Sequence, residues 1–277
     1  MVEESLPRFD PATPADARIY DYVIGGKDNF ASDRDVAEHL RDAFKGMPPN
    51  RFPAVENRRF LERALTYLLD AGIRQFLDVG CGLPARRNVH EIVHRADPDA
   101  PVVYVDHDPV VVTHHRALVN SVATASVIHA DARRPKDILL HPEVRSRLDF
   151  DRPVGILMVG LLHLIGDEED PGAILAQFWD AMPPGSHLAL SHLTDEGPDP
   201  QAVAHFTAMY EHAREPMVLR SRARIRSFFD GTQLVEPGVV DGADWHPDGI
   251  ATPSGWLVAG VGRKPEAAAT SGRNARQ

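Results

Sequence analysis

Phe76-Leu77-Asp78-Val79-Gly80-Cys81-Gly82-Leu83-Pro84 reads as an apolar strand that ends in an acidic residue and a glycine-rich turn. A second apolar run, residues 102–105, ends on Asp106, and a third, residues 126–129, leads into Ala130-Asp131-Ala132. Three successive strand ends therefore carry a carboxylate. In a parallel sheet the carboxyl ends of neighbouring strands line one crevice, and ligands bind there. Outward from Gln75 the apolar runs alternate with helical patterns, which predicts an α/β fold with a mostly parallel sheet covered by helices on both faces.

Two classes of nucleotide cofactor suit such a crevice. Gly80-Cys81-Gly82-Leu83-Pro84-Ala85 satisfies the loose dinucleotide pattern G-x-G-x-x-G/A, with Asp106 near the expected distance downstream. A pyrophosphate needs helix amides free to face it. Pro84 removes one amide donor, and Asp78 adds a negative charge beside a dianion. S-adenosylmethionine carries no phosphate, and its amino and sulfonium groups are positive, so a carboxylate at Asp78 attracts it. An NAD(P)-dependent oxidoreductase is the alternative enzyme, and a non-catalytic S-adenosylmethionine-binding or sensing protein is the alternative outside catalysis.

With D-x-G-x-G at the end of its first strand, the chain resembles the class I S-adenosylmethionine-dependent methyltransferases. A narrower likeness rests on Arg18-Ile19-Tyr20-Asp21-Tyr22-Val23-Ile24-Gly25-Gly26-Lys27-Asp28-Asn29-Phe30, Glu56-Asn57-Arg58-Arg59-Phe60-Leu61, Phe229-Asp230-Gly231 and Val261-Gly262-Arg263-Lys264-Pro265. These motifs are similar to those of a bacterial methyltransferase family with an N-terminal Gly-Gly-Lys-Asp-Asn-Phe run. The resemblance implies a Rossmann-like domain with a seven-stranded, mostly parallel sheet, S-adenosyl-L-methionine as cofactor, and in-line methyl transfer to a small-molecule acceptor. It also implies site residues: Asp78, Gly80, Cys81 and Gly82 at the methionine end, Asp106 with its neighbour His107 at the ribose, and Asp131 with Ala132 at the adenine edge. The pattern departs from the family at Cys81, Ala85 and Arg87, and Arg86 and Arg87 add two cations beside a loop meant for a cation.

A chain of 277 residues, 43% of them hydrophobic, can bury a full core. Its formal net charge of -10 gives no general attraction to nucleic acid. Arg220, Arg222, Arg224 and Arg226 suggest a local basic patch, but alternate positions on a helix fan out around it, and a solvated face is the expectation. The single cysteine, Cys81, excludes an intramolecular disulfide and a multi-cysteine metal site. The start has no basic or apolar leader pattern, and residues 154–165 are too short and interrupted to cross a bilayer, so a soluble cytoplasmic protein is expected.

Three helices precede the first strand: residues 13–25, opened by a Thr13-Pro14-Ala15-Asp16 capping box; residues 32–44; and residues 53–69, with apolar positions on one face. Residues 1–72 are read as a helical extension acting as a lid, residues 73–264 as the cofactor-binding domain, and residues 265–277 as a small, polar, disordered tail. Later strands are expected at residues 154–159 and 187–191, and a terminal antiparallel pair at 233–240 and 256–262. Helices are expected at 200–213 and 221–229.

Gly25-Gly26-Lys27-Asp28-Asn29 has ordinary turn chemistry. The neighbouring Tyr20, Lys27 and Phe30 extend the reading to a lid in which Tyr20, Gly26, Lys27 and Phe30 cover the cofactor, aromatic faces attract the sulfonium, and the Asp28 charge orients sulfonium or acceptor. His163 and His192 follow the fourth and fifth strands at the rim, where either could take a proton from an acceptor hydroxyl or amine. His114 and His115 point apart on a helix, which makes a metal site there improbable, and no metal ligands are assigned.

Overall fold

The computed structural model describes residues 9–44, 46–210, 216–249 and 252–266. Three helices come first, α1 (Asp16–Val23), α2 (Ala31–Ala43) and α3 (Pro53–Asp70). The alternating part follows as β1 (Phe76–Val79), α4 (Val89–Ala96), β2 (Val102–Asp106), α5 (Pro109–Val119) and β3 (Ala125–His129). Two short helices, α6 (Pro135–Leu139) and α7 (Pro142–Arg147), lead to β4 (Gly155–Val159), α8 (Pro171–Ala181) and β5 (His187–Leu193). The chain closes through α9 (Pro200–Tyr210), α10 (Arg222–Ser227), β6 (Gln233–Leu234), β7 (Val240–Asp241) and β8 (Leu257–Arg263).

The strands lie in the order β3-β2-β1-β4-β5-β8-β6, with β7 pairing β8 as well. The first five are parallel, and β8 runs antiparallel to β5 along its whole length. The chain moves outward from β1 to β2 and β3 and then returns to lay β4 on the other side of β1, so the strand order reverses there. That reversal opens a crevice at the carboxyl ends of the strands. In register, Asp78 lies opposite Tyr104 of β2 and Leu157 of β4.

Among the described residues the sheet has eight strands where seven were expected. The segment expected as one strand over 233–240 is two two-residue strands, because Pro237 has no N–H for the ladder and Gly238 turns the chain at φ 92°. The capping box at Thr13 does not form either. The Thr13 hydroxyl donates to Asp10 Oδ2 at 3.0 Å, and α1 starts at Asp16, with the Ala15 N–H donating to Asp33 Oδ1 at 3.0 Å. The other oxygen of Asp33 accepts the Phe30 N–H at 2.8 Å, so one buried carboxylate serves the starts of both helices. Residues 211–213 of the helix expected over 200–213, and residues 267–277 of the expected tail, lie outside the described residues.

The sheet carries apolar cores on its two faces, and α3 belongs to one of them: Phe60, Leu61, Ala64, Leu65 and Leu68 pack with Phe76, Tyr104 and Leu157. A separate cluster joins α1, α2 and α9 through Ile19, Leu40, Phe44, Phe206 and Tyr210, together with Leu193 and Leu257 at the strand ends. The expected extension of residues 1–72 is therefore divided. Its third helix is a layer of the sheet domain, because its apolar face has the 3.6-residue period and length to cover strands. Helices α1 and α2 lie outside that layer and contribute Ile19, Tyr20, Val36 and Leu40 to the wall of the strand-end cavity.

Candidate functional site

The glycine turn after β1 is held to β2 by backbone bonds: the N–H groups of Gly80 and Cys81 both donate to the Val105 carbonyl, at 2.9 and 3.2 Å. Asp106 Oδ2 accepts the Gly82 N–H at 3.0 Å, and its Oδ1 accepts the Asp108 N–H at 2.9 Å. Behind the turn, buried His115 of α5 bonds the Gly82 carbonyl through Nε2 at 2.9 Å, and burial lowers its pKa to about 4. The ring is neutral, so that bond places its proton on Nε2. Gly80 and Gly82 have φ of 72° and 64°, a region L side chains rarely adopt. A Cβ on Gly82 would stand in open space.

Gly82 also lines a cavity of about 490 Å³. At its strand-end side the wall contains Asp78, Gly80, Cys81, Gly82, Asp106, His107, Asp131 and Ala132, so the three strand-end carboxylates share one cavity. Their electrostatics differ. Burial pushes Asp78 up to about 7, against a smaller opposing pull from Arg58. Asp106 is also raised by burial, although the backbone N–H of Asp108 resists. Asp131 is raised by burial but lowered more by hydrogen bonds from Arg133, whose Nε meets both carboxylate oxygens at 2.9 and 3.0 Å. The Cys81 thiol, 4.0 Å from Asp106 Oδ2, is pushed well above its ordinary value by burial and is held as a thiol.

Tyr20 of α1 also lines the cavity. Its hydroxyl donates to the Ala54 carbonyl at 2.8 Å and accepts from Asn57 Nδ2 at 3.2 Å. Asn57 in turn accepts the buried Ser191 hydroxyl of β5, tying α1, α3 and the sheet together. Gly26, Lys27, Asp28 and Phe30, expected over the cofactor, are not in the wall. The carboxylate of Asp21 draws this loop away by accepting the Asp28 N–H and the Asn29 side-chain amide at 2.9 and 2.8 Å. Gly26 lies so close to it that a Cβ would collide with Oδ1 at 1.8 Å. Lys27 and Asp28 are exposed, Asp28 faces His114 at 3.6 Å, and Phe30 stacks under the Arg18 guanidinium. The glycine-lysine motif is packed around Asp21.

The two rim histidines separate. His163 is in the cavity wall, whereas His192 is fully buried behind it and bonded to Arg220 Nη1 at 2.8 Å. Burial, with the Arg220 charge second, lowers His163 to about 3, and burial lowers His192 well below its ordinary value. Burial therefore favours the neutral form of both rings near pH 7. Arg220, expected on a solvated helical face, precedes α10 and is buried, donating to the carbonyls of Leu162 and Ile165 and to Asp167. Arg86 and Arg87 are exposed, with Arg87 paired to Glu62 at 2.6 Å, and neither lines the cavity.

Sequence reasoning missed three contributors. Arg58 lines the cavity and acts on Asp78, and its quoted motif was the available signal. Arg18 lies over the rings of Phe9 and Phe30, bonds Asp33 at 2.9 Å and approaches Asp108 at 3.6 Å, so it links both cover helices to the start of α5. The third is an apolar end of the cavity formed by Ile19, Leu40, Phe44, Leu193, Phe206 and Met217. Among the described residues no cluster could hold a metal ion, and no helix is long and apolar enough to cross a membrane.

A family model described as S-adenosyl methyltransferase matches residues 3–265. The chain is similar to the crystal structure of a DUF574 family protein from Streptomyces avermitilis, with 37% identity, a TM-score of 0.88, and coverage of 93% of this chain and 100% of that one. It is also similar to the crystal structure of a protein from Thermobifida fusca proposed to be a methyltransferase, with 40% identity, a TM-score of 0.84, and coverage of 92% and 96%. No curated protein matches the chain.

Proposed function

The chain belongs to the S-adenosyl methyltransferase family, and from that premise we propose that its strand-end cavity holds S-adenosylmethionine beside a small-molecule acceptor. The chain is an S-adenosylmethionine-dependent methyltransferase, and family membership displaces the nicotinamide oxidoreductase alternative. The observation that carries the assignment of the cavity is the junction of three strand-end carboxylates with a glycine cradle whose missing Cβ leaves open space.

The residues present fit the cofactor. Asp78 is a buried carboxylate with a pKa near 7, so an arriving ammonium compensates for the solvation that burial removed. Arg58, on the same wall, supplies the opposite charge for the carboxylate of the methionyl group. The Asp106 oxygens each accept one backbone N–H and retain capacity for ribose hydroxyls. When bound, the cofactor supplies a methyl group on a positively charged sulfur, the electrophile of the reaction. The protein's work is then to position and to exclude water. Arg18 ties α1 and α2 to the start of α5, and those helices cover the crevice as a lid. Holding two reactants in attack geometry lowers a barrier by about 7–11 kcal/mol.

The test is stabilisation by ligands. The demethylated cofactor raises the melting temperature, by about 2.7 kcal/mol of stability at 100 times its dissociation constant, and NADP leaves it unchanged. Stabilisation by NADP alone refutes the assignment. Release of labelled methyl into products from a metabolite extract separates turnover from binding without catalysis.

A further inference from the structure

His163 stands where the two ends of the cavity meet. It follows β4, close to Gly160, where a Cβ would lie 3.8 Å from the ring's Cε1. Its carbonyl accepts the Val218 N–H at 2.8 Å, which brings Met217 alongside, and its Nδ1 accepts the Leu193 N–H at 3.4 Å. Leu193 and Met217 both line the cavity's apolar end, and Phe206 and Tyr210 continue that wall with ring centroids 5.3 Å apart. Phe44, at the C-terminal cap of α2, meets Phe206 at 5.9 Å, completing an aromatic enclosure.

The hydrogen bonds fix which nitrogens carry protons. Arg220 only donates, so His192 Nε2 accepts from it, and the His192 proton resides on Nδ1, where it meets the Leu193 carbonyl at 2.6 Å. His163 Nδ1 faces a backbone N–H, so the proton of a neutral His163 resides on Nε2. The ring is neutral because it is buried beside the Arg220 charge. His163 is therefore set as a hydrogen-bond donor, with its remaining nitrogen in a ring that forms the cavity wall.

Resting on the methyltransferase reading of this cavity, we propose that the acceptor is an apolar, ring-bearing molecule whose hydrogen-bond-accepting oxygen, a phenolate, enolate or carbonyl, is held by His163 Nε2–H between the cofactor end and the aromatic enclosure. His163 on this account is a specificity-determining donor to the acceptor. A positively charged amine has no lone pair for that proton and is rejected.

The experiment uses full-length protein and three probes of similar size, 2-naphthol, naphthalene and 2-naphthylmethylamine, titrated calorimetrically with the demethylated cofactor present and absent. The expected result is 2-naphthol binding about tenfold more tightly than naphthalene, with the amine weakest. His163→Leu should abolish the naphthol preference while naphthalene binding persists, and His163→Gln, which retains a donor, should restore much of it. Equal binding of naphthol and naphthalene, tightest binding of the amine, failure of all three probes to bind, or an undiminished preference in a folded His163→Leu protein overturns the proposal. The cofactor titration alone reports on the methyltransferase assignment of the cavity, so failure there is distinguished from failure of the probe contrast.

Discussion

Replacing Asp78 with asparagine preserves its shape and removes its ionisation. The folded protein holds the Asp78 proton up to about pH 7, whereas the ordinary value is 3.8. A carboxyl whose folded pKa is raised contributes stability that is fully present below the unfolded value and is lost as pH rises through the folded one. From those two values, the loss between pH 5 and pH 7.5 is about 2–3 kcal/mol, which for a chain of this size is about 5 °C in melting temperature. The Asp78→Asn protein lacks this component, so its melting temperature relative to wild type should climb by that amount across the interval. Cofactor binding should run the opposite way. An ammonium at Asp78 favours the ionised carboxylate, so wild-type affinity should rise up to about tenfold per pH unit below 7, while the variant binds weakly with little pH dependence. Differential scanning calorimetry of the ligand-free proteins and isothermal titration with the demethylated cofactor, both at pH 5, 6, 7 and 7.5, measure the two effects. Parallel melting curves for variant and wild type, or unchanged affinity in a folded variant, would refute the role of a buried, proton-holding carboxylate at the methionine end.

Asp106→Ala should weaken cofactor binding by about 1.5–3 kcal/mol by titration calorimetry, with the sheet intact by circular dichroism, and unchanged affinity would remove Asp106 from the ribose site. Arg220→Met should cost about 2–4 kcal/mol in denaturant unfolding, because the carbonyls of Leu162 and Ile165 and the His192 ring lose their donor. A change within 0.5 kcal/mol would mean water replaces the guanidinium. Gly26→Ala and Gly82→Ala should part company: the first lowers the melting temperature through collision with Asp21 and leaves affinity in the folded fraction unchanged. The second costs about 1–2 kcal/mol of backbone strain and at least about tenfold in cofactor affinity, since Gly82 lines the cavity. Asp28→Asn should leave both melting temperature and cofactor affinity at wild-type values, and a selective loss of affinity would return Asp28 to the site.

The features that the sequence alone determined are those built from near neighbours along the chain. An apolar run bounded by glycine reads as a strand wherever it is placed, and a carboxylate at its end lies at the carboxyl edge of any parallel sheet. Asp78, Asp106 and Asp131 could therefore be assigned to one crevice before their distances were known. The period of residues 53–69 likewise revealed a buried face, although not that this face covers the sheet itself. Tertiary structure alone decided the rest, because hydrogen-bond and packing partners come from distant positions. Arg220 reads as one of four alternating arginines until the backbone carbonyls of Leu162 and Ile165 are brought around it, 58 and 55 residues away. Desolvation, a property of the assembled core, turns His163 from a candidate base into a neutral donor and holds a proton on Asp78. The glycine-lysine loop points the same way: its composition suits a lid over ligand, and Asp21, seven residues before Asp28, claims it for a turn instead. The aromatic enclosure joins the end of α2 to α9, whose meeting depends on long-range packing that no local pattern encodes.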